Sequence, residues 1–245
     1  MQIAVISDIH SNLEALTAVL DRIDSFGVDT ILCLGDIVGY NADPDRCVEI
    51  VREREIQCVL GNHDSWVCGL EGLDNINYPV RRTILWSREQ LSPKNLDFLK
   101  RLPRKLSMDI GALAIHGWVN NTDRYIITTG DALINSELLA QEPHSPRLCF
   151  FGHTHKPIAY STTESAVLVH RDELLILKEG RRHIINPGSV GQPRDFDNRG
   201  AFLIYDSEAG ALRFHRVEYN IDATCRKIIA AGLPATFAER LKTGC

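Results

Sequence analysis

The stretch QIAVISDIHSNLEALTAVLDRID, residues 2–24, contains an apolar segment, a polar junction and a periodic segment. Residues 2–7 are almost continuously apolar, which is typical of a strand buried on both faces. Apolar residues then recur at a spacing of three and four, which predicts a helix over residues 12–25. Asp8 and His10 stand at the junction. The stretch therefore predicts a strand and a helix with chemically active side chains between them.

The same alternation continues through the first third of the chain. A second buried strand is predicted over residues 30–35 and a third, short one over residues 56–61. A helix is predicted between them at residues 44–54, with Asp43 as N-cap and Pro44 at its first position. This β-α-β-α-β order implies a parallel sheet.

The rest of the chain predicts more strands than helices. Residues 78–102 are helical, with a new helix opening at Ser92-Pro93, a hairpin turns near residues 109–111, and a helix follows Asp131. Further strands are predicted at 147–151, 157–161, 166–170, 173–177, 183–186, 201–205 and 211–217, and one or two helices at 221–242. We expect an α/β fold in which two sheets pack together with helices outside, as one domain over residues 1–245.

Composition excludes some partners. Of the 245 residues, 44% are hydrophobic and 24% charged, and the net charge of -5 does not favour non-specific binding to nucleic acid or membranes. A small anionic substrate stays possible because metals in a cleft can reverse the local field. The first ten residues predict a strand rather than a signal peptide. The seven cysteines are odd in number and lack a C-x-x-C pair, so we expect reduced thiols and a cytoplasmic location.

Side chains that bind metals occur in five short clusters, each after an apolar segment. These are Asp8 and His10, then Asp36, then Asn62 with His63 and Asp64, then His116, and finally His153 with His155. Ligand sites of parallel α/β sheets form at the carboxyl ends of the strands, so the clusters are expected to converge. In an extended segment, residues two apart point to the same side, which would direct each i, i+2 pair into one pocket.

The ligand inventory predicts metal ions rather than five unrelated polar strand ends. Carboxylates with imidazoles suit borderline divalent metals such as Mn, Fe, Zn or Ni, of which we favour Mn. Seven ligands exceed the need of one ion, and two ions sharing a bridging carboxylate would use them all. The remaining histidines, His144, His170, His183 and His215, are expected at the surface.

Taken together, the clusters resemble the calcineurin-like metallophosphoesterases. Their blocks D-x-H, G-D, G-N-H-[DE], H-G and G-H-T-H occur here in order over residues 8–155, and GDIVGYNADP and INPGSVGQPRD resemble the small prokaryotic phosphodiesterase-type branch. The resemblance implies a four-layer α/β/β/α sandwich with two metals. It implies one metal on Asp8, His10, Asp36 and His155, and the other on Asp36, Asn62, His116 and His153. His63 would then be the catalytic general acid or a stabilising donor, beside a metal-activated hydroxide.

One block departs from the protein phosphatases of that family. Their G-D-x-V-D-R-G continues here as Gly35-Asp36-Ile37-Val38-Gly39-Tyr40, so Gly39 replaces the aspartate that orients the catalytic histidine there. Tyr40 replaces an arginine that binds phosphate. Asp64 is left as a candidate to orient His63, and the less cationic site favours a phosphodiester, which carries less charge than a monoester.

Three further residues are candidate substrate contacts. Asn12 is expected to cap the first helix and to lie near the site, and Tyr40 and Arg194 flank it. The segment NPGSVGQPR, residues 186–194, could form an anion-binding nest or a plain turn.

Several functions stay open at this stage. The main hypothesis is a phosphodiesterase for small molecules or nucleotides. The alternatives are a dinucleoside-polyphosphate hydrolase, a phosphomonoesterase or protein phosphatase, and a non-catalytic scaffold similar to a retromer subunit. We expect a small phosphoester as partner, without stable nucleic-acid or membrane binding, and the oligomeric state is open.

Overall fold

The computed structural model describes residues 1–163 and 166–245, and its first third alternates strands and helices. The elements there are β1 (Gln2–Ile6), α1 (Leu13–Asp24), β2 (Thr30–Cys33), α2 (Pro44–Glu53), β3 (Gln57–Cys58) and α3 (Asn62–Cys68). The middle of the chain contains α4 (Tyr78–Gln90), α5 (Pro93–Lys100), β4 (Lys105–Ser107), β5 (Ala112–Ile115), α6 (Thr129–Gln141) and β6 (Leu148–Phe150). The last part contains β7 (Ile158–Thr162), β8 (Val167–His170), β9 (Leu174–Ile176), β10 (Arg182–Asn186), β11 (Gly200–Asp206), β12 (Ala211–Val217), α7 (Ile221–Ala230) and α8 (Ala235–Thr243).

The strands form two six-stranded sheets. The first has the order β3-β2-β1-β11-β12-β9 and the second the order β4-β5-β6-β10-β7-β8. The predicted parallel pairing of β1, β2 and β3 is confirmed, but β1 also pairs antiparallel with β11, so the sheet is mixed. In the second sheet β5, β6 and β10 are parallel to each other. Each sheet therefore has its own group of carboxyl strand ends.

Alternation of side chains along the strands produces the layers. Ile3 and Val5 of β1 enter the core between the sheets, whereas Ala4 and Ile6 pack beneath α1 and α2. In β6, Phe150 faces the other sheet and its neighbour Cys149 faces α6. Successive residues of a strand point to opposite faces, so a strand covered on both faces must be apolar throughout. The expected four-layer α/β/β/α sandwich is confirmed.

Three local predictions are corrected. Helix α3 was not predicted, and it places the Asn62 cluster in a first helical turn rather than in a loop. Helix α6 begins before Asp131, because Thr128 is the N-cap and Asp131 completes the capping box. Asp43 occupies the N-cap position of α2 without capping it. Its carboxylate instead accepts a hydrogen bond from Lys227 of α7 at 2.8 Å.

The two C-terminal helices pack beside the end of the sheet that carries the candidate site. The Thr224 hydroxyl donates to Asn12 Oδ1 at 3.1 Å, which joins α7 to the start of α1. The Phe237 ring of α8 lies 4.9 Å from the Tyr40 ring. Within the described ranges, each helix is too short or too polar to cross a membrane.

We expect Phe150→Ala to lower the free energy of unfolding by about 3–5 kcal/mol, because it leaves a cavity between the sheets. Phe150 is fully buried and its ring lies 5.8 Å from that of Tyr205. Urea denaturation of the metal-free protein measures the loss. The control is Phe196→Ala, since Phe196 is 82% exposed and should change stability by about 0.5 kcal/mol or less. Equal losses in both variants would contradict the assigned core.

Candidate metal centre

The seven predicted ligands lie together where the carboxyl ends of both sheets meet. Asp8 and Asp36 follow β1 and β2 of the first sheet, and His116 and His155 follow β5 and β6 of the second. His155 Nε2 lies 3.3 Å from Asp8 Oδ1, and His116 Nε2 lies 3.3 Å from Asp36 Oδ2. Ligands from one sheet are thus within contact distance of ligands from the other.

The backbone at these positions is left-handed, not extended. Five of the seven residues have positive φ, namely Asp8 (54°), His10 (49°), Asp36 (53°), His153 (67°) and His155 (59°). The expectation that extended i, i+2 pairs align the ligands is therefore wrong. Residues with a Cβ adopt this region at a cost, and it persists only where surrounding contacts impose it.

Hydrogen bonds between the loops impose this conformation. The Asp8 N–H donates to Gly35 O at 3.0 Å, and the His10 N–H donates to Asp36 O at 2.9 Å. The His153 N–H donates to the Asp8 carboxylate, to Oδ2 at 3.1 Å, which ties the second sheet to the first. Gly152 allows this close approach, since a Cβ there would lie 2.1 Å from Ser7 Oγ. The ligand loops of the two sheets are therefore locked against one another.

Two triads of buried side chains have the arrangement of metal sites. One consists of Asp8, His10 and His155, and the other of Asp36, His116 and His153, with the ligand atoms of each triad within 4.8 Å of one another. A third grouping joins His10, Asp36 and His63. Asp36 Oδ2 lies 3.6 Å from His10 Nε2 of the first triad and 3.3 Å from His116 Nε2 of the second. Asp36 thus occupies the position expected of a bridging carboxylate.

Backbone carbonyls fix the tautomers in the first triad. His10 Nδ1 donates to Val38 O at 3.1 Å, and His155 Nδ1 donates to Gln192 O at 2.5 Å. In neutral imidazole the other nitrogen then carries a lone pair. The two Nε2 atoms face each other at 3.2 Å. Two lone pairs at this distance repel, so the arrangement fits a cation between or beside them.

The second triad has the same character. His116 Nδ1 donates to Leu34 O at 2.7 Å, and its Nε2 faces Asn62 Oδ1 at 2.9 Å. His153 Nε2 donates to Asp123 O at 3.1 Å, which leaves its Nδ1 as the ligand atom. Asp36 Oδ2 has no hydrogen-bond partner in the described part of the chain. Carbonyl partners that orient imidazoles in this way are typical of metal ligands, so the residues fit bound divalent cations.

Burial and charge set the protonation of these imidazoles. Burial lowers the pKa of His10 and His155 far below the ordinary value, and lowers that of His153 to about 3. For His116, burial is outweighed by the Asp36 and Asp8 carboxylates, which raise its pKa to about 10. His10, His153 and His155 are thus neutral, as metal ligands must be. His116 is instead protonated, because the two carboxylates stabilise its positive charge.

His63 is surrounded by rings rather than paired with a carboxylate. Its ring centroid lies 4.6 Å from that of Tyr40 and 5.1 Å from that of Trp66. Its Nδ1 has no hydrogen-bond partner among the described residues. Gly39 leaves the space for it, since a Cβ there would lie 2.3 Å from that atom. In the protein phosphatases that the chain resembles, an aspartate stands where this chain has Gly39. Here the His63 imidazole occupies the space of that side chain.

Asp64 does not orient the His63 ring. Its carboxylate accepts hydrogen bonds from the N–H groups of Val38 and Gly61, both at 3.1 Å. It therefore caps α3 and fixes the loop after β2. Burial lowers the pKa of His63 to about 4, so the ring is neutral at pH 7.

A cavity of about 570 Å³ opens over the centre. It is lined by Asp36, Asn62, His63, His153 and His155, together with Tyr40 and Arg194. Arg194 Nη2 donates to the Tyr40 hydroxyl and to Gln192 Oε1, both at 3.1 Å, and its Nε has no partner within the described residues. Because these acceptors are neutral, the guanidinium charge is available to an anion.

Asn12 and residues 186–193 have structural roles and, unlike Arg194, do not line the cavity. Asn12 is fully buried, accepts from Ala15 N at 3.1 Å and donates to Gly191 O at 2.9 Å. The N–H groups of Val190 and Gly191 donate to Ser7 O and Asp8 O. These N–H groups are therefore unable to form the anion-binding nest considered from the sequence. They brace the Asp8 loop instead.

Sequence reasoning missed residues of the loop between β5 and α6. Asp123 O accepts from His153, and the Tyr125 ring stacks on the His153 ring at 3.9 Å with an interplanar angle of 12°. Neither residue belongs to a ligand motif, so the sequence offers no signal for them. His183 also differs from expectation, because it is buried and bonded to Ser161 Oγ at 2.9 Å.

Comparison with known proteins shows the family to which the chain belongs. Residues 1–210 match the family described as the calcineurin-like phosphoesterase superfamily domain. The chain is 40% identical over 243 residues to protein MJ0912 of Methanocaldococcus jannaschii, covering 99% of this chain and 98% of that protein. It therefore belongs to the calcineurin-like phosphoesterase superfamily, whose members are metal-dependent phosphoric ester hydrolases.

Solved structures show the same fold. A metallophosphoesterase from Sphaerobacter thermophilus superimposes with a TM-score of 0.87 at 40% identity, covering 100% of this chain and 99% of that one. The hypothetical protein PH1004 from Pyrococcus horikoshii OT3 superimposes with a TM-score of 0.82 at 20% identity, covering 100% and 98%. The second similarity extends to the fold alone.

We expect His155→Ala to weaken Mn²⁺ binding at one of two sites by about tenfold or more, because it removes one ligand of the first triad. Isothermal titration calorimetry of chelator-stripped protein measures both the stoichiometry and the affinity. The matched control is His183→Ala, which removes another buried, hydrogen-bonded imidazole away from the centre. Equal metal binding by the two variants would rule out His155 as a ligand.

We expect Gly39→Ala to lower kcat for a phosphoester about 100-fold, because the added methyl group displaces the His63 ring while the metal ligands stay in place. Gly111→Ala is the control. Gly39 and Gly111 both have positive φ, of 100° and 73°, but a Cβ at Gly111 meets nothing within 4 Å. Steady-state kinetics and metal content are measured together. A kcat equal to that of the control would show that His63 needs no fixed position.

Proposed function

We propose that the protein is a dinuclear-metal phosphodiesterase that acts on small molecules or nucleotides. The observation that carries the proposal is the guanidinium of Arg194, whose hydrogen-bond acceptors are neutral, in a cavity whose lining includes members of both ligand triads, namely His155 of the first and Asp36 and His153 of the second. A phosphodiester carries one negative charge, and one cationic side chain beside the metals matches it. A monoester carries nearly two negative charges. The protein phosphatases that the chain resembles have a phosphate-binding arginine where this chain has Tyr40, so this site lacks that second cationic group.

The proposed roles follow from what each side chain can reach. Asp8, His10, Asp36 and His155 would hold one cation, and Asp36, Asn62, His116 and His153 the other. Bound there, the pair supplies an activated water nucleophile and positive charge near the phosphate oxygens. Arg194 would hold a non-bridging phosphate oxygen, and the Tyr40 hydroxyl keeps the guanidinium in place.

His63 would act on the leaving group. When water adds to phosphorus, the bond to one ester oxygen breaks, and that oxygen leaves as an alcohol once it gains a proton. The His63 ring lines the cavity and is neutral, so it can donate a hydrogen bond to this oxygen as charge develops there. Packing against Tyr40 and Trp66 would fix the direction of that donor.

The proposal also covers the metal ions, the cellular location and the partner. The mixture of carboxylate and imidazole ligands favours Mn, with Fe, Zn and Ni as alternatives. All seven cysteines are free thiols, which suits the cytoplasm. We propose a small phosphoester as the partner, with no stable nucleic-acid or membrane binding.

The test is hydrolysis of bis-p-nitrophenyl phosphate compared with p-nitrophenyl phosphate, using chelator-stripped protein with Mn²⁺ restored. We expect higher kcat/KM for the diester, and a loss of about 100-fold or more in Asp36→Asn, because that change removes the carboxylate that faces His10 of one triad and His116 of the other. Asp21→Asn, an exposed position on α1, is the control for a lost carboxylate.

Two outcomes would contradict the proposal. A preference for the monoester would make the protein a phosphomonoesterase. Folded, Mn²⁺-loaded protein that cleaves neither ester would remove the catalytic role proposed for this centre.

A further inference from the structure

A second cavity, of about 330 Å³, adjoins the one over the metal centre. The two share Tyr125 and Arg194 in their walls. One face of the Tyr125 ring is occupied by His153, yet the residue remains 41% exposed. A ligand bound at Arg194 can therefore extend past Tyr125 from the first cavity into the second.

The walls of the second cavity are apolar and are held in place. The Ile127 side chain is 66% exposed, and the buried residues Ile158 and Tyr160 line the cavity beneath it. The Tyr160 hydroxyl donates to Ile127 O at 3.0 Å, which fixes the loop against β7. The accessible apolar surface of the cavity comes from Ile127 and Tyr125. Branched and aromatic side chains suit a planar ring, and base–aromatic stacking is favourable for any nucleobase.

The polar groups of this cavity are cationic. Lys156 and Arg171 line it with Arg194, and none of its described lining residues is a carboxylate. Neither Lys156 nor Arg171 forms an ion pair or a side-chain hydrogen bond within the described residues, and both are exposed. By contrast, the lining of the first cavity includes three carboxylates, those of Glu71, Asp74 and Asp123. A negatively charged ligand group is therefore favoured at the Arg171 side of the second cavity.

We propose that this cavity is a subsite for a nucleotide half that carries a second phosphate. The substrate class is then a linear dinucleotide with a terminal phosphate, whose internal diester lies at Arg194 and the metals. Its base packs on Ile127 beside Tyr125, and its terminal phosphate meets Lys156 and Arg171. This inference rests on the phosphodiesterase function proposed above.

The experiment compares the dinucleotides pApA and ApA, which differ only in the terminal phosphate. We expect wild-type protein with Mn²⁺ to favour pApA in kcat/KM by about tenfold, mainly through KM, because two charged contacts form only with pApA. In Arg171→Gln the ratio of the two kcat/KM values falls toward one. The control is Arg226→Gln on α7, which removes an exposed arginine that lines neither cavity and should retain the wild-type ratio.

A second variant tests the ring-binding wall. Ile127→Ala should raise KM for both dinucleotides and leave their ratio unchanged, because it removes apolar contact without altering charge. An unchanged KM would show that the base does not pack on this wall.

The outcomes separate this inference from the function on which it rests. A wild-type ratio near one, or an Arg171→Gln variant that keeps the wild-type ratio, overturns the subsite while diester hydrolysis stands. Hydrolysis of bis-p-nitrophenyl phosphate without cleavage of either dinucleotide also overturns it. Absence of activity on every ester overturns the phosphodiesterase proposal itself.

Discussion

The Asp36 carboxylate is the group on which the arrangement of the centre depends. It is buried at the end of β2, its Oδ1 accepts from the His63 N–H at 2.8 Å, and its Oδ2 faces His116 and His10 at 3.3 and 3.6 Å. A carboxylate without water needs compensating positive charge. The His116 imidazole, whose pKa is raised, supplies it, and this interaction is the largest of those that hold the pKa of Asp36 well below its ordinary value in spite of burial. A pair of divalent cations would meet the same need.

The cost of burying a charge without a partner also explains where the candidate ligands lie in the fold. Asp8 and Asp36 come from the first sheet, and His116, His153 and His155 come from the second. The interior between the sheets is apolar, so the polar ligands can gather only at the edge where the strands end. The loops there adopt left-handed backbone at several positions, and hydrogen bonds across the sheets maintain it.

Aromatic packing, rather than a hydrogen bond to a carboxylate, surrounds the His63 ring in this protein. The carboxylate that would fix the ring in related phosphatases is absent, and Gly39 gives its space to the imidazole. Tyr40 and Trp66 pack on the ring, and Phe237 of α8 supports Tyr40. Because α8 lies beyond residues 1–210, a segment outside the matched family region supports a residue that lines the candidate site.

The sequence by itself determined the order of the elements, the two-sheet sandwich and the identity of the seven candidate ligands. It could do so because apolar periodicity is local, and because ligand types at strand ends fall in short, ordered blocks. It could not show α3, since the Asn62 block is too short and polar to display helical periodicity. Nor could it show that left-handed backbone, rather than extended pairs, aims the ligands.

Only the tertiary structure decided the surroundings of the centre. It assigned Asp64 to a helix cap and Asn12 to the support of the Gly191 loop, because hydrogen-bond partners distant in sequence satisfy both side chains. It brought Tyr125 and Asp123 onto His153 from a loop without any motif. It also joined the metal cavity to the apolar, cationic cavity beyond Arg194. These contacts depend on how distant segments pack, which no local pattern of residues encodes.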